Sequence, residues 1–154
     1  MWATVGIPTP TLLTARAMPP LGRIRTMSST LALAIVAMLL AATLYTIAVF
    51  SERAQATLKP WHLALFWVGL VFDTTGTTLM SGIAGGWRPD VHGITGAIAI
   101  ALMLIHAGWA TTALLMKRER VLHSFHKFSV HVWALWMVAF VSGIVLVAMR
   151  AAAR

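Results

Sequence analysis

The run from Val91 to Met116 contains no Asp, Glu, Lys or Arg, yet it carries His92 and His106. About 20 such residues, rising 1.5 Å each, suffice for a helix to cross the hydrocarbon core of a bilayer. Fourteen residues separate the two histidines, close to a whole number of turns, so both rings lie on one face, about 21 Å apart along the axis. A polar ring at membrane depth is expensive and marks a candidate functional site.

Three further runs repeat the pattern. At 59% hydrophobic and 10% charged residues, with mean hydropathy +0.83, the 154-residue chain would leave a soluble globule coated in apolar side chains. The expected fold class is all-α: an integral-membrane antiparallel four-helix bundle with helices at about 29–50, 60–82, 91–116 and 122–149. Ser28 or Ser29 is expected to cap the first helix and Ser51-Glu52-Arg53 to end it, with Thr43, Tyr45 and Thr46 as interface anchors. Pro60 suits the first position of the second helix. Residues 1–28 read as a flexible, basic, Pro-rich arm, with Met27 as an alternative start of the chain.

The formal charge of +8 comes from 12 Lys and Arg against 4 acids, gathered at the ends of the apolar runs and in the arm. That placement suits anionic lipid headgroups and gives no basic surface for nucleic acid. Both membrane faces carry equal numbers of basic residues. Starting at Met27 would shift the balance and put the His123 and His126 end in the cytoplasm. The chain has no cysteine, which excludes disulfides, thiolate metal sites, iron–sulfur ligation and covalent haem attachment. No Gly-rich phosphate loop, HExxH helix or Ser-His-Asp order is present, and His92 to Gly96 (HGITG) opens a membrane helix without a serine. Whether the chain is an enzyme is left open, and an electron-transfer or accessory role is favoured.

In the second run His62, Phe66, Gly69, Asp73, Thr77 and Met80 fall near one face. Asp73 lies near mid-membrane, where an unpaired charge costs about 2.5–3.5 kcal/mol or more. Counting inward from the helix ends places it near the depth of His106, so a hydrogen-bonded Asp73–His106 pair is expected. On the third helix Gly93, Ala97 and Ala101 form a row of small residues at which a second helix is expected to pack, so that Ala97→Leu would separate the two.

Three functional classes follow. In the first, non-covalent haem b is clamped between facing helices, its iron held by His106 and His131 or by His62 and His126, for membrane electron transfer. Asp73 would then fix an imidazole tautomer, and His92, at the opposite face, has only Met80 as a neighbouring ligand. The second class is a proton or ion pathway through Asp73, Thr74, Thr75, Thr77 and His106. The third is an accessory bundle without cofactor that serves a larger membrane complex. The partners implied are the lipid bilayer, a quinone or larger complex, and a second copy of the chain; nucleic acid is not among them.

The strings YTIAVFSER, LKPWHLALFWVGLVFDTTGTTLM, HGITGAIAIALMLIHAGWA and FHKFSVHVW resemble the HsmA-type family of small bacterial four-helix membrane proteins. The resemblance covers about residues 31 to 149. It implies four spans in a bacterial inner membrane and carries no activity with it.

Overall fold

The computed structural model describes residues 21–117 and 119–152. It forms four helices: α1 (Leu21–Gln55), α2 (Pro60–Ile83), α3 (Val91–Leu115) and α4 (Glu119–Ala152). Each contains a segment long and apolar enough to cross a membrane: Ser29–Gln55, Pro60–Ile83, Val91–Leu115 and Phe125–Met149. The all-α membrane bundle is thus as expected, but α1 is longer at both ends. It begins before Ser28 and Ser29, which therefore do not cap it, and it continues past Glu52 to Gln55. The arm up to residue 20 lies outside the described residues.

Local chemistry sets the other ends. Pro60 opens α2, and the Lys59 backbone N–H donates to Nδ1 of His62 at 2.9 Å. Asp90 caps α3 by accepting from the Gly93 N–H at 2.8 Å. The loop between α1 and α2 is tied to α4, since the Leu58 N–H donates to the Leu122 carbonyl at 3.3 Å.

Every helix packs on its chain neighbours, and α1 packs on α4 to close the ring, so α1 and α3 lie across a diagonal, as do α2 and α4. The buried seam positions are Ala34, Ala37, Ala41, Tyr45, Ala48 and Glu52 on α1; His62, Phe66, Gly69, Asp73 and Gly76 on α2; Ala99, Met103, His106, Ala110 and Ala113 on α3; Phe125, Ser129, Val132, Trp136 and Ala139 on α4, with Val49, Leu70 and Ala107 buried beside them. Within each set the spacing is almost entirely an alternation of three and four residues. That is the heptad seam of a left-handed bundle with side chains interlocking between helices. The outward face is apolar as well, with Val71 63% and Val138 68% exposed, as lipid contact requires.

The closest approach lies between α1 and α2. A Cβ added to Gly69 would sit 2.7 Å from Cε1 of Tyr45, and one added to Gly76 would sit 2.7 Å from Cγ of Met38 and 3.2 Å from the Ala34 carbonyl oxygen. These glycines, not the α3 row, are where the bundle depends on small residues. Ala97 and Ala101 are exposed on the outer face. Gly93 is small for a local reason, because a Cβ there would collide with the Arg88 carbonyl oxygen. Ala97→Leu should therefore leave the thermal melt in detergent within about 0.5 kcal/mol of wild type. A large loss of stability would restore the α3 row as a helix interface.

Candidate functional site

Each helix contributes one buried polar residue near the same end of the bundle: Glu52 from α1, His62 from α2, His106 from α3 and Ser129 from α4. All four are at most 1% exposed. Three of them form a chain. The Ser129 hydroxyl donates to Oε2 of Glu52 at 2.6 Å, and Ser129 Oγ lies 3.4 Å from Nε2 of His106. A serine has one hydroxyl proton, and here it goes to the carboxylate, so the imidazole side of the contact must be an Nε2–H donor. Oε1 of Glu52 and Nδ1 of His106, the two outer atoms of the chain, are buried without a protein partner. An unpartnered buried polar atom costs about 1–3 kcal/mol and calls for an explanation in a native structure.

His106 is held between rings. Phe66 meets it edge-on at 4.7 Å, while Phe125 and Phe128 lie at 4.7 and 5.8 Å. His62 is packed against Trp61 at 3.9 Å. Because its Nδ1 accepts the Lys59 N–H, a neutral His62 carries its proton on Nε2, and that atom too is buried without a partner.

A second polar centre lies deeper in the bundle, with Tyr45 one heptad from Glu52 along α1 and Trp136 one heptad from Ser129 along α4. Oδ2 of Asp73 accepts from Nε1 of Trp136 at 2.8 Å and from the Tyr45 hydroxyl at 3.5 Å. Tyr45 and Trp136 also meet edge-on at 5.1 Å. Tyr45 is therefore a core residue at 1% exposure and not the expected interface anchor. Thr46 likewise turns toward α4, accepting from Nε1 of Trp133 at 3.1 Å.

Asp73 and His106 thus take different partners, and the expected pair between them is not formed. His106 is nine residues from the end of α3, whereas Asp73 is thirteen from the start of α2, so the carboxylate lies about one turn deeper. Of the histidines expected at a cofactor, His62 and His106 are buried. His126 is half-buried with Nδ1 unpartnered, and His131 is exposed, its Nδ1 2.5 Å from the Lys127 carbonyl of its own helix. His106 and His131 therefore do not face each other across the bundle. The side chain of His123 lies outside the described residues. His92, at the opposite end, has Nδ1 3.2 Å from the Ser142 hydroxyl, with its ring over Gly143. Its neighbour is thus α4, not Met80.

Thr74 and Thr75 are exposed and bonded to carbonyls of their own helix, at 2.6 and 2.7 Å. Thr77 is half-buried with its hydroxyl 3.9 Å from Sδ of Met38. The threonine thread expected through the bundle is therefore not continuous. Among the described residues no three His, Asp or Glu side chains gather closely enough to hold a metal ion.

Sequence reasoning misses Glu52, Ser129, Tyr45 and Trp136. The signal is nonetheless present, because Tyr45 and Glu52 are seven residues apart, as are Ser129 and Trp136, and a 3.5-residue period puts each pair on one seam. Comparison with protein-family profiles, with characterised proteins and with solved structures returns no match.

Proposed function

We propose that this multi-pass membrane protein moves protons through the interior of its bundle, with Glu52, Ser129 and His106 as the relay. The observation that carries the reading is the hydrogen-bonded chain Glu52–Ser129–His106, whose two outer atoms are both open. A proton reaching Nδ1 of His106 makes an imidazolium. The Nε2 proton then passes to Ser129 Oγ while the serine proton passes to Oε2 of Glu52. An imidazolium and a carboxylate become an imidazole protonated on Nδ1 and a carboxylic acid, and the chain resets once Glu52 gives up its proton, the serine hydroxyl turns back to the carboxylate and the imidazole proton returns from Nδ1 to Nε2. Buried carboxylates and histidines are the groups that membrane proton relays use.

Counted from Met27, the end of the bundle holding Glu52 and His62 has more basic residues than the other, and we place it in the cytoplasm. We also place the chain in a bacterial inner membrane, as an HsmA-type protein, on the strings quoted above.

The second reading is haem b ligation and electron transfer. One observation favours it: His62 and His106 lie on adjacent helices near one end of the bundle, each with a buried ring nitrogen that lacks a partner. The phenylalanine rings around His106 and the proton on Nε2 of His62 stand against it.

One preparation tests both. In proteoliposomes under a potassium diffusion potential, wild type should acidify or alkalinise the lumen, and Glu52→Gln should reduce that flux about a hundred-fold or more while retaining the fold. If the wild-type flux equals that of protein-free vesicles, the relay is wrong. A Soret band that sharpens on reduction would transfer the case to haem. Neither flux nor colour would leave an accessory bundle.

A further inference from the structure

Glu52 and His62 are both fully buried, and each ends in an atom that no protein group satisfies: Oε1 on the acid and Nε2 on the imidazole. The α1–α2 seam fixes where these side chains stand relative to each other. Met38 lies against Gly76, and seven residues further along α1 Tyr45 lies against Gly69, seven residues back along α2. One more heptad in the same antiparallel register pairs Glu52 with His62. Their free atoms are also complementary, because Oε1 is an acceptor and Nε2, with Nδ1 occupied by the Lys59 N–H, is a donor.

We infer that His62 is the outer member of the relay, joined to Oε1 of Glu52 through a buried water across the α1–α2 seam. This rests on the proton-relay reading and extends it to the membrane face. A water satisfies both atoms at once, accepting from His62 Nε2–H and donating to Glu52 Oε1, and water bridges of this kind are ordinary parts of protein interiors.

The position of His62 suits entry from the aqueous side. It sits in the first turn of α2, under the loop that carries Lys59 and the buried Leu58, whose N–H is tied to α4. A proton from the aqueous face adds to Nδ1, displacing the Lys59 N–H and giving an imidazolium. The imidazolium releases its Nε2 proton to the water, which passes one of its own to Oε1 of Glu52. The products are a neutral imidazole protonated on Nδ1, an unchanged water and a neutral carboxylic acid, which, once its hydroxyl turns toward Ser129, hands the proton inward by the Glu52–Ser129–His106 steps run in reverse. The polar layer then runs His62, water, Glu52, Ser129, His106, one side chain from each of the four helices.

The test uses the full chain in lipid with two readouts. Solid-state NMR of 15N-histidine-labelled protein should show His62 as the Nε2–H tautomer, and Glu52→Gln should move that resonance. A His62 signal indifferent to Glu52→Gln would overturn the link, whether or not the protein carries protons. In the flux assay His62→Gln, which keeps an N–H donor but cannot shuttle a proton, should lower the rate by about ten-fold or more. Wild-type flux in His62→Gln would overturn the role of His62 while leaving the inner relay standing. Should His62→Gln fail to fold, His62→Asn serves in its place, and the NMR measurement on Glu52→Gln needs no His62 variant. Absence of flux in wild type removes the inner relay itself, and the resonance shift alone then decides whether the two residues are coupled.

Discussion

Gly69→Leu is expected to lose the folded bundle in detergent. The larger side chain has nowhere to go, since even its first carbon would lie 2.7 Å from the Tyr45 ring. That ring cannot turn aside freely, being packed edge-on against Trp136 with its hydroxyl on Asp73. Overpacking of this sort typically costs about 1–3 kcal/mol, and here it also pulls Tyr45 from a buried carboxylate, so the upper end applies. Gly76→Leu should be milder in its contact with Met38, a flexible side chain, but it still meets the Ala34 carbonyl. A melting temperature in Gly69→Leu equal to that of wild type would mean that α1 and α2 do not approach as described. Ala97→Leu, an enlargement on the lipid face, is the control.

The second large effect concerns the deeper polar centre. Trp136→Phe preserves most of the ring packing and removes the N–H that Asp73 accepts at 2.8 Å, leaving the carboxylate only the longer contact from Tyr45. Interhelical hydrogen bonds in membranes are worth about 0.6 kcal/mol on average and up to about 1.7 kcal/mol. The ionisable acceptor and near-complete burial place this one at the top of that range. In an Asp73→Leu background, where no buried carboxylate remains to be satisfied, the same Trp136→Phe change should cost little. The coupling in this double-mutant cycle, measured from reversible unfolding in mixed micelles, is therefore expected at about 1.5 kcal/mol. Additive single effects would show that Trp136 and Asp73 do not interact.

The two polar centres differ in what they leave open. Every described polar contact of Asp73 joins helices, α2 to α1 and α4, and this arrangement accounts for a buried acid by structure alone. The Glu52 layer also joins helices, but it retains unpartnered atoms on both sides of the chain. That asymmetry is why the relay is placed at Glu52 and not at Asp73, where counting along the sequence puts it.

Much of this protein is readable from its residues. Four charge-poor runs of membrane length and Pro60 at a helix start depend on composition and local backbone chemistry, and all appear in the structure. Asp73 and His106 stand out as costly at depth, and both are buried. Their partners do not stand out. A face drawn at 3.6 residues per turn includes Thr77, whereas the seam at 3.5 takes Gly76, and the two periods part by about 20° per heptad. Tyr45 and Glu52 read as the polar end of a span unless their spacing along the seam is used.

What composition decides by itself is which segments enter the membrane, because transfer into hydrocarbon is a property of each run taken alone. Which polar groups then meet depends on azimuth and axial offset between separate helices. Here those are set by how closely α1 settles onto Gly69 and Gly76, a contact between segments far enough apart that neither run contains it. The pairing of Glu52 with Ser129 and His106, and of Asp73 with Trp136, exists only once that seam has closed.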